Sequence, residues 1–251
     1  MARFLDAQPP IAFAHRGFAP DGDENSMAAF ERAVRLGYRY LETDVRVTAD
    51  GVALAFHDAR LNRVTDHVGR VAELPWAQVR HARIGGREAI PLLTDLLAAW
   101  PDVCINLDVK ADRGVGPVVD AIRQTGSLDR VCVGAFSTAR IETVRRALGP
   151  RLCTSLGPRA ALRLKWRRRS GGILLSGCCA QVPARIGRRV FIDARYLAAA
   201  HAVGVPVHAW TVNDPVEMAR LLDLGVDGIM TDRADVLRDL LAARGQWPAL
   251  A

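Results

Sequence analysis

The sequence predicts a (β/α)8 barrel that carries a small insertion after its second strand. Eight short apolar runs, each suited to a buried strand, alternate with segments of helical periodicity along the 251 residues. No Gly-x-Gly-x-x-Gly or P-loop motif supports the runner-up, an open doubly wound sheet. Because we find no Gly-, Pro- or Ser-rich linker, we expect residues 1–251 to form a single domain.

The first unit combines a short buried strand with an amphipathic helix. Residues 11–14 form an apolar run that predicts the strand. Residues 24–36 place apolar side chains at helical spacing, and Gly37 ends the helix.

The second unit contains a predicted hairpin. Residues 40–47 form its first strand, an Asp-Gly turn follows at 50–51, and residues 52–56 run back. Residues 59–91 are irregular and too short to bury a core of their own. We therefore expect this insertion to pack beside the hairpin.

The remaining chain repeats the strand and helix pattern regularly. A helix at 92–100 completes the second unit and ends at Pro101. The later strands are predicted at residues 103–109, 131–136, 152–155, 173–176, 205–211 and 228–231. The later helices are predicted at residues 115–125, 139–148, 159–169, 194–203, 215–224 and 234–242.

The composition favours a soluble, cytoplasmic protein that handles anions. The formal charge of +7 owes much to arginine and suits phosphate-bearing ligands. The first 17 residues lack the apolar run of a signal peptide, and no stretch is long enough for a membrane span. Five cysteines without Cys-x-x-Cys spacing argue against a disulfide framework and a zinc cluster, and we predict buried thiols at Cys178 and Cys179.

Carboxylates stand at the strand ends, where a barrel of this kind carries its chemistry. Glu42 and Asp44 are two positions apart on the second strand, so their side chains point to one side. Asp108 lies near the end of the third strand. Three carboxylates are hard oxygen ligands, which suit Mg²⁺ or Ca²⁺.

Two imidazoles and two cationic side chains accompany the carboxylates. His15 ends the first strand and His57 follows the hairpin, so the two histidines can act as an acid–base pair near neutral pH. Arg16 and Lys110 supply positive charge suited to phosphate oxygens. With a divalent cation, these groups make up the set expected for cleaving a phosphate ester.

Seven motifs follow one another from about Phe13 to Asp232: AHRG, ENS, ETDV, FHD, LDVK, AWTVND and GVDGIMTDR. In this order they resemble the glycerophosphodiester phosphodiesterase family. The resemblance implies a (β/α)8 barrel with a segment inserted after the second strand. It also implies metal-dependent conversion of glycerophosphodiesters to glycerol 3-phosphate and an alcohol.

The resemblance assigns roles to the polar residues already singled out. It implies that His15 and His57 are the catalytic histidines. It implies metal binding by Glu42, Asp44 and Asp108.

The resemblance also assigns the substrate contacts. It implies phosphate contacts for Arg16 and Lys110 and a pocket wall at Trp210. The implied reaction proceeds through a cyclic phosphate that water then opens.

Two positions depart from the family pattern. Asp108 stands where the family usually has Glu, so the ion is expected nearer the third strand or reached through water. Asp23 stands where the family tends to have Pro before Glu24, which is expected to loosen the loop after His15.

Two other functions remain open. A lysophospholipase D would use the same chemistry on a lipid-bearing substrate, and a catalytically silent barrel would only bind phosphate or lipid. The basic run at 159–169 permits contact with anionic lipid, although a solvated outer helix is preferred. No motif suggests nucleic-acid binding, and nothing indicates the oligomeric state.

Three further residues are assigned structural roles. We expect Asp232 to cap the last helix and Glu24 to cap the first. We expect His208, two positions before Trp210, to be a structural histidine.

Overall fold

The computed structural model describes residues 3–166 and 176–247, and a set of parallel strands forms its centre. The strands are β1 (Ile11–His15), β2 (Tyr40–Val47), β3 (Cys104–Val109), β4 (Val131–Gly134), β5 (Cys153–Thr154), β6 (Ala180–Pro183), β7 (Val207–Trp210) and β8 (Gly228–Thr231).

The strands close into a ring. Their order in the sheet is β5-β4-β3-β2-β1-β8-β7-β6. The two outer strands meet where Ser155 and Cys179 form a parallel bridge. There the amide of Leu156 donates to the Cys179 carbonyl at 2.7 Å. The predicted (β/α)8 barrel is confirmed.

One helix follows each barrel strand and covers the outside of the sheet. The helices are α1 (Met27–Arg35), α2 (Leu93–Ala99), α3 (Val115–Gln124), α4 (Thr138–Leu148), α5 (Pro158–Lys165), α6 (Ala194–His201), α7 (Pro215–Asp223) and α8 (Ala234–Ala243).

Successive side chains of a barrel strand point alternately toward the helices and into the barrel, as β3 illustrates. Ile105 and Leu107 point outward and join the apolar layer beneath the helices. Cys104 points into the barrel and belongs to its buried base. Asn106 and Asp108 point the same way and reach the cavity at the carboxyl end of the barrel. The base of the barrel is therefore packed, and its upper end is open and polar.

The insertion packs beside the hairpin, as predicted. The strand Ala53–Ala55 pairs antiparallel with β2. Beyond it lie the short helix Trp76–Val79 and the paired strands Arg83–Ile84 and Glu88–Ala89. The insertion and the hairpin share one small apolar core, made by Leu54, Phe56, Leu61, Val71, Val79, Ala82, Ile84 and Ile90.

The predicted position of the sixth strand is wrong. Of the predicted residues 173–176, the first three lie outside the described residues and Ser176 is not in a strand. The strand is Ala180–Pro183, which pairs in register with β7. The polar Gln181 interrupts this strand, which therefore lacks the continuous apolar run on which the prediction relies. Likewise α5 ends at Lys165, and residues 167–169 of the predicted basic helix lie outside the described residues.

Candidate active site

A tight turn after β1 presents Arg16 to the cavity. Arg16 has φ 57° and Gly17 has φ 83°, both in the left-handed region. A Cβ on Gly17 would lie 2.6 Å from the carbonyl carbon of Ala29, so only glycine fits there. The Arg16 amide donates to the carbonyl of Glu42, and the Asn25 amide donates to the carbonyl of Arg16, both at 2.9 Å. Contacts on both sides thus hold Arg16 in a strained conformation.

Asn25 ties the loop before α1 to β2. It is buried with φ 60°. Its side-chain nitrogen donates to Asp44 at 3.4 Å, and the hydroxyl of Thr43 donates to its side-chain oxygen at 2.7 Å. Ser26, the next residue, caps α1 by accepting from the amide of Ala29 at 3.0 Å. The ENS motif therefore starts a helix and positions a carboxylate.

Asp23 ties this loop to α1. Its carboxylate accepts from one guanidinium nitrogen of Arg32 at 2.5 and 2.6 Å and from the Ser26 hydroxyl at 3.3 Å. The side chain is buried, so this ion pair holds the loop where the family tends to have a proline. The effect of Asp23 on the mobility of the loop stays a prediction.

A cavity of about 430 Å³ opens at the carboxyl end of the barrel. Every residue that the sequence nominated for the site lines it. These residues are His15, Arg16, Glu42, Asp44, His57, Asp108, Lys110 and Trp210.

The three carboxylates differ in their charged neighbours. Asp44 is held by the Lys110 ammonium at 2.6 Å and by Nε of Arg16 at 2.9 Å, the latter an ion pair without hydrogen-bond geometry. Burial works against ionisation, but these two cations lower the pKa of Asp44. Burial and the nearby Asp44 charge raise the pKa of Glu42 to about 8. Burial likewise raises the pKa of Asp108, although Lys110 opposes it.

These carboxylates fit a hard divalent cation. Asp108 Oδ1 is buried without a hydrogen-bond donor, and burial beside the Asp44 charge disfavours the ionised form of Glu42. A divalent cation would supply that charge. Lys110 at present bridges Asp44 and Asp108, 2.6 Å from each. Within the described chain, the oxygens of the three acids do not all lie within 4.8 Å of one another.

His15 is held by two carboxylates. Its Nδ1 donates to Asp232 at 2.6 Å, and its Nε2 lies 3.6 Å from Glu42. Burial opposes a charged imidazole, but Glu42 and Asp232 outweigh it and raise the pKa of His15. Asp232 is itself fixed by the side chain of Asn213, which donates to it at 2.7 Å.

His57 is oriented in the same way. Its Nδ1 donates to Asp58 at 2.6 Å, and Asp58 accepts from Arg63 at 2.6 Å. The bonds from Arg63 are the main reason why the pKa of Asp58 falls to about 2. Arg63 also donates to Glu24 at 2.6 Å, and Glu24 accepts from Arg16 at 2.9 Å. A chain of ionic contacts thus connects the support of His57 to Arg16.

Both capping predictions are wrong, and both residues belong to this network. The cap of α1 is Ser26, while Glu24 joins two arginines. The residue before α8 is Arg233, which makes no side-chain cap, while Asp232 turns back to His15. An acidic residue just before a helix predicts an N-cap. Here the carboxylate of each such residue instead binds a cation or an imidazole that is more distant in sequence.

The wall opposite the carboxylates is apolar. The ring of Trp210 meets that of Phe136 edge to face, with centroids 5.6 Å apart. Phe136, Leu162 and Ile186 line the cavity and yet remain 68%, 40% and 58% exposed. Trp166, one helical turn beyond Leu162, is 70% exposed. This apolar rim borders the polar site.

Comparison with known proteins identifies the family. The sequence model of the glycerophosphoryl diester phosphodiesterase family matches residues 15–236. A Mycobacterium tuberculosis protein named "Probable glycerophosphodiester phosphodiesterase 2" is 44% identical, with 97% of this chain and 95% of that protein covered. A lysophospholipase D of Mus musculus is 27% identical, with 91% of this chain and 85% of that protein covered.

A solved structure shares the fold. A phosphodiesterase of Oleispira antarctica, crystallised with the product sn-glycerol-3-phosphate, superposes with a TM-score of 0.78 at 23% identity. The match covers 93% of this chain and 97% of that structure. The chain belongs to the glycerophosphoryl diester phosphodiesterase family and is a phosphoric diester hydrolase. Across the described residues, no helix combines the length and apolar character that a membrane crossing requires.

Proposed function

We propose that this protein hydrolyses glycerophosphodiesters to glycerol 3-phosphate and an alcohol, with His15 and His57 as the proton-transfer pair. The main support is the presence of both imidazoles in one cavity, each with Nδ1 bound to a carboxylate at 2.6 Å. When Nδ1 carries the proton, Nε2 of each ring is left to exchange a proton with the substrate.

The reaction then uses Nε2 of each ring. One histidine takes the proton of the glycerol 2-hydroxyl, and the oxygen attacks phosphorus. The other histidine protonates the departing alcohol. A cyclic phosphate forms, and water opens it with the histidine roles reversed.

The cations of the site bind the phosphate. Arg16 offers a guanidinium fixed by the strained turn, and Lys110 offers an ammonium. Glu42, Asp44 and Asp108 would hold a divalent cation, which supplies Lewis-acid stabilisation of the phosphate charge when bound. Positive charge at these acids would also release Lys110 from Asp44 and Asp108, so that its ammonium can reach a phosphate oxygen.

The test is the release of glycerol 3-phosphate from glycerophosphocholine. The expected result is turnover that EDTA abolishes and that added Mg²⁺ or Ca²⁺ restores. Turnover that is unchanged in EDTA after thorough dialysis would remove the metal from the proposal. A complete lack of turnover with either ion would instead favour a barrel that only binds phosphate or lipid.

A lysophospholipid is the second candidate substrate, and the apolar wall favours it. Phe136, Leu162 and Ile186 lie where an acyl chain attached to the glycerol could leave the cavity. A relative from Mus musculus is named for lysophospholipase D activity. The kcat/KM values for lysophosphatidylcholine and glycerophosphocholine separate the two candidates. If the lipid is the substrate, Leu162→Asp lowers the first value and spares the second.

A further inference from the structure

Three thiols meet beneath the floor of the active-site cavity. Cys132, Cys153 and Cys179 are each fully buried. Their sulfur atoms all lie within 4.8 Å of one another, and Sγ of Cys132 is 3.9 Å from Sγ of Cys179. We call these three residues the thiol cluster.

The topology of the barrel assembles the cluster. Its members come from β4, from β5 and from the residue just before β6, three neighbouring segments of the ring. Each cysteine precedes by two positions a residue that lines the cavity, so the cluster lies one layer below the cavity floor. The floor residues are Gly134, Ser155 and Gln181. The side-chain nitrogen of Gln181 is 4.0 Å from Cys132 Sγ and is the polar group that stands over the cluster.

The spacing suits a metal bound by sulfur. A zinc–sulfur bond of about 2.3 Å places neighbouring sulfurs about 3.8–4.0 Å apart in tetrahedral or trigonal geometry. The measured separation of 3.9 Å between Cys132 and Cys179 falls in this range. Unlike the acids of the upper site, the three sulfurs already converge before any ion binds.

The chemistry of the ligands decides which kind of cation the cluster suits. Thiolate ligands select soft or borderline cations, whereas the carboxylates above select hard ones.

We propose that the thiol cluster is a second metal site, which binds Zn²⁺ or Cd²⁺ through three sulfurs and is distinct from the carboxylate site. Three thiols release three protons to solvent as the dication binds, so the sulfur site ends with one net negative charge. The role of the ion is to tie β4, β5 and β6 together where the ring closes.

Cd²⁺ added to the purified protein tests this site directly. With Mg²⁺ present in excess for the carboxylates, one equivalent of Cd²⁺ should produce a thiolate-to-metal charge-transfer band in the near ultraviolet. Cys132→Ser, Cys153→Ser and Cys179→Ser should each remove most of that band. Cys104→Ser is the matched control, because Cys104 is also buried in the base of the barrel, but its thiol contacts the Tyr40 side chain and is not one of the three convergent sulfurs.

X-ray absorption of the Cd²⁺-loaded wild-type protein tests the same site without relying on the folding of any variant. The expected result is a shell of about three sulfur ligands. An oxygen-only shell, the absence of a charge-transfer band, or an equal loss of the band in Cys104→Ser would overturn the proposal. So would a Cys132–Cys179 disulfide found by mass analysis of the protein purified under reducing conditions.

Discussion

Asp232 should control the activity of His15 without touching the substrate. Its Oδ1 accepts from His15 Nδ1 at 2.6 Å, and its Oδ2 accepts from Asn213 at 2.7 Å. Asp232→Asn keeps the size of the side chain and removes its charge. The amide can then present a donor to His15, which favours the tautomer with its proton on Nε2.

The size of the effect follows from the bond that is lost. A hydrogen bond with a charged partner contributes about 1.5–3 kcal/mol. Since about 1.4 kcal/mol corresponds to a tenfold change in rate, kcat should fall roughly 10- to 150-fold. KM should change little, because Asp232 is not among the residues that line the cavity.

The assay is steady-state hydrolysis of glycerophosphocholine across pH. Asp232→Asn should lower kcat and shift the limb of the pH profile that reports His15, because the carboxylate helps to raise the pKa of that histidine. Asp235→Asn is the matched control, since Asp235 lies three positions further on and, among the described residues, forms its ion pair with the exposed Arg233. A kcat for Asp232→Asn within twofold of the control, with an unshifted profile, would refute the positioning role.

Two further predictions concern stability. Burial lowers the pKa of His208 to about 4, and its ring nitrogens have no hydrogen-bond partner among the described residues. The unfolded chain therefore binds more protons than the folded one between about pH 6.5 and pH 4, so stability present above pH 6.5 is lost as pH falls, by roughly 3 kcal/mol. The free energy of unfolding, measured with urea across this pH range, should show the loss in the wild type and not in His208→Leu. An equal pH dependence of that free energy in the two proteins would contradict the prediction. Gly17→Ala should destabilise by about 3 kcal/mol or more, because its Cβ would meet backbone at 2.6 Å, whereas Gly22→Ala, with φ 77° and open space, should cost only about 1–2 kcal/mol. Equal unfolding free energies for the two variants would show that the close approach to α1 does not matter.

Much of the barrel could be predicted because its signals are local. Apolar runs, helical periodicity and stop residues place most elements within a few residues of their observed bounds. The position of the sixth strand cannot be predicted in this way, because the inward-facing Gln181 leaves it without a continuous apolar run. The position of this strand depends on its hydrogen bonds to β5 and β7. Such pairing joins residues that are far apart in sequence, so one local segment does not reveal it.

The residues of the site also fall into a group that local sequence predicts and a group that it does not. Side chains at strand ends, such as His15 and Asp108, could be nominated because parallel strands bring their carboxyl ends to one face. The residues that orient them could not, since Arg63 lies in the insertion and Asp232 before the last helix. The thiol cluster was hidden for a similar reason. Its members are far apart in sequence, and only closure of the ring between β5 and β6 brings their sulfurs together.

The central claim is that His15 and His57 act as one proton-transfer pair. Single-turnover release of glycerol 3-phosphate, measured for His15→Ala, His57→Ala and the double variant, tests it most directly. General acid–base catalysis is worth about 100- to 10,000-fold, so each single variant should lose that much, and the double variant should lose less than the product of the two. His67 is a partly exposed histidine of the insertion that also pairs with its neighbouring aspartate, so His67→Ala should keep wild-type turnover. Near wild-type turnover in either His15→Ala or His57→Ala would contradict the claim.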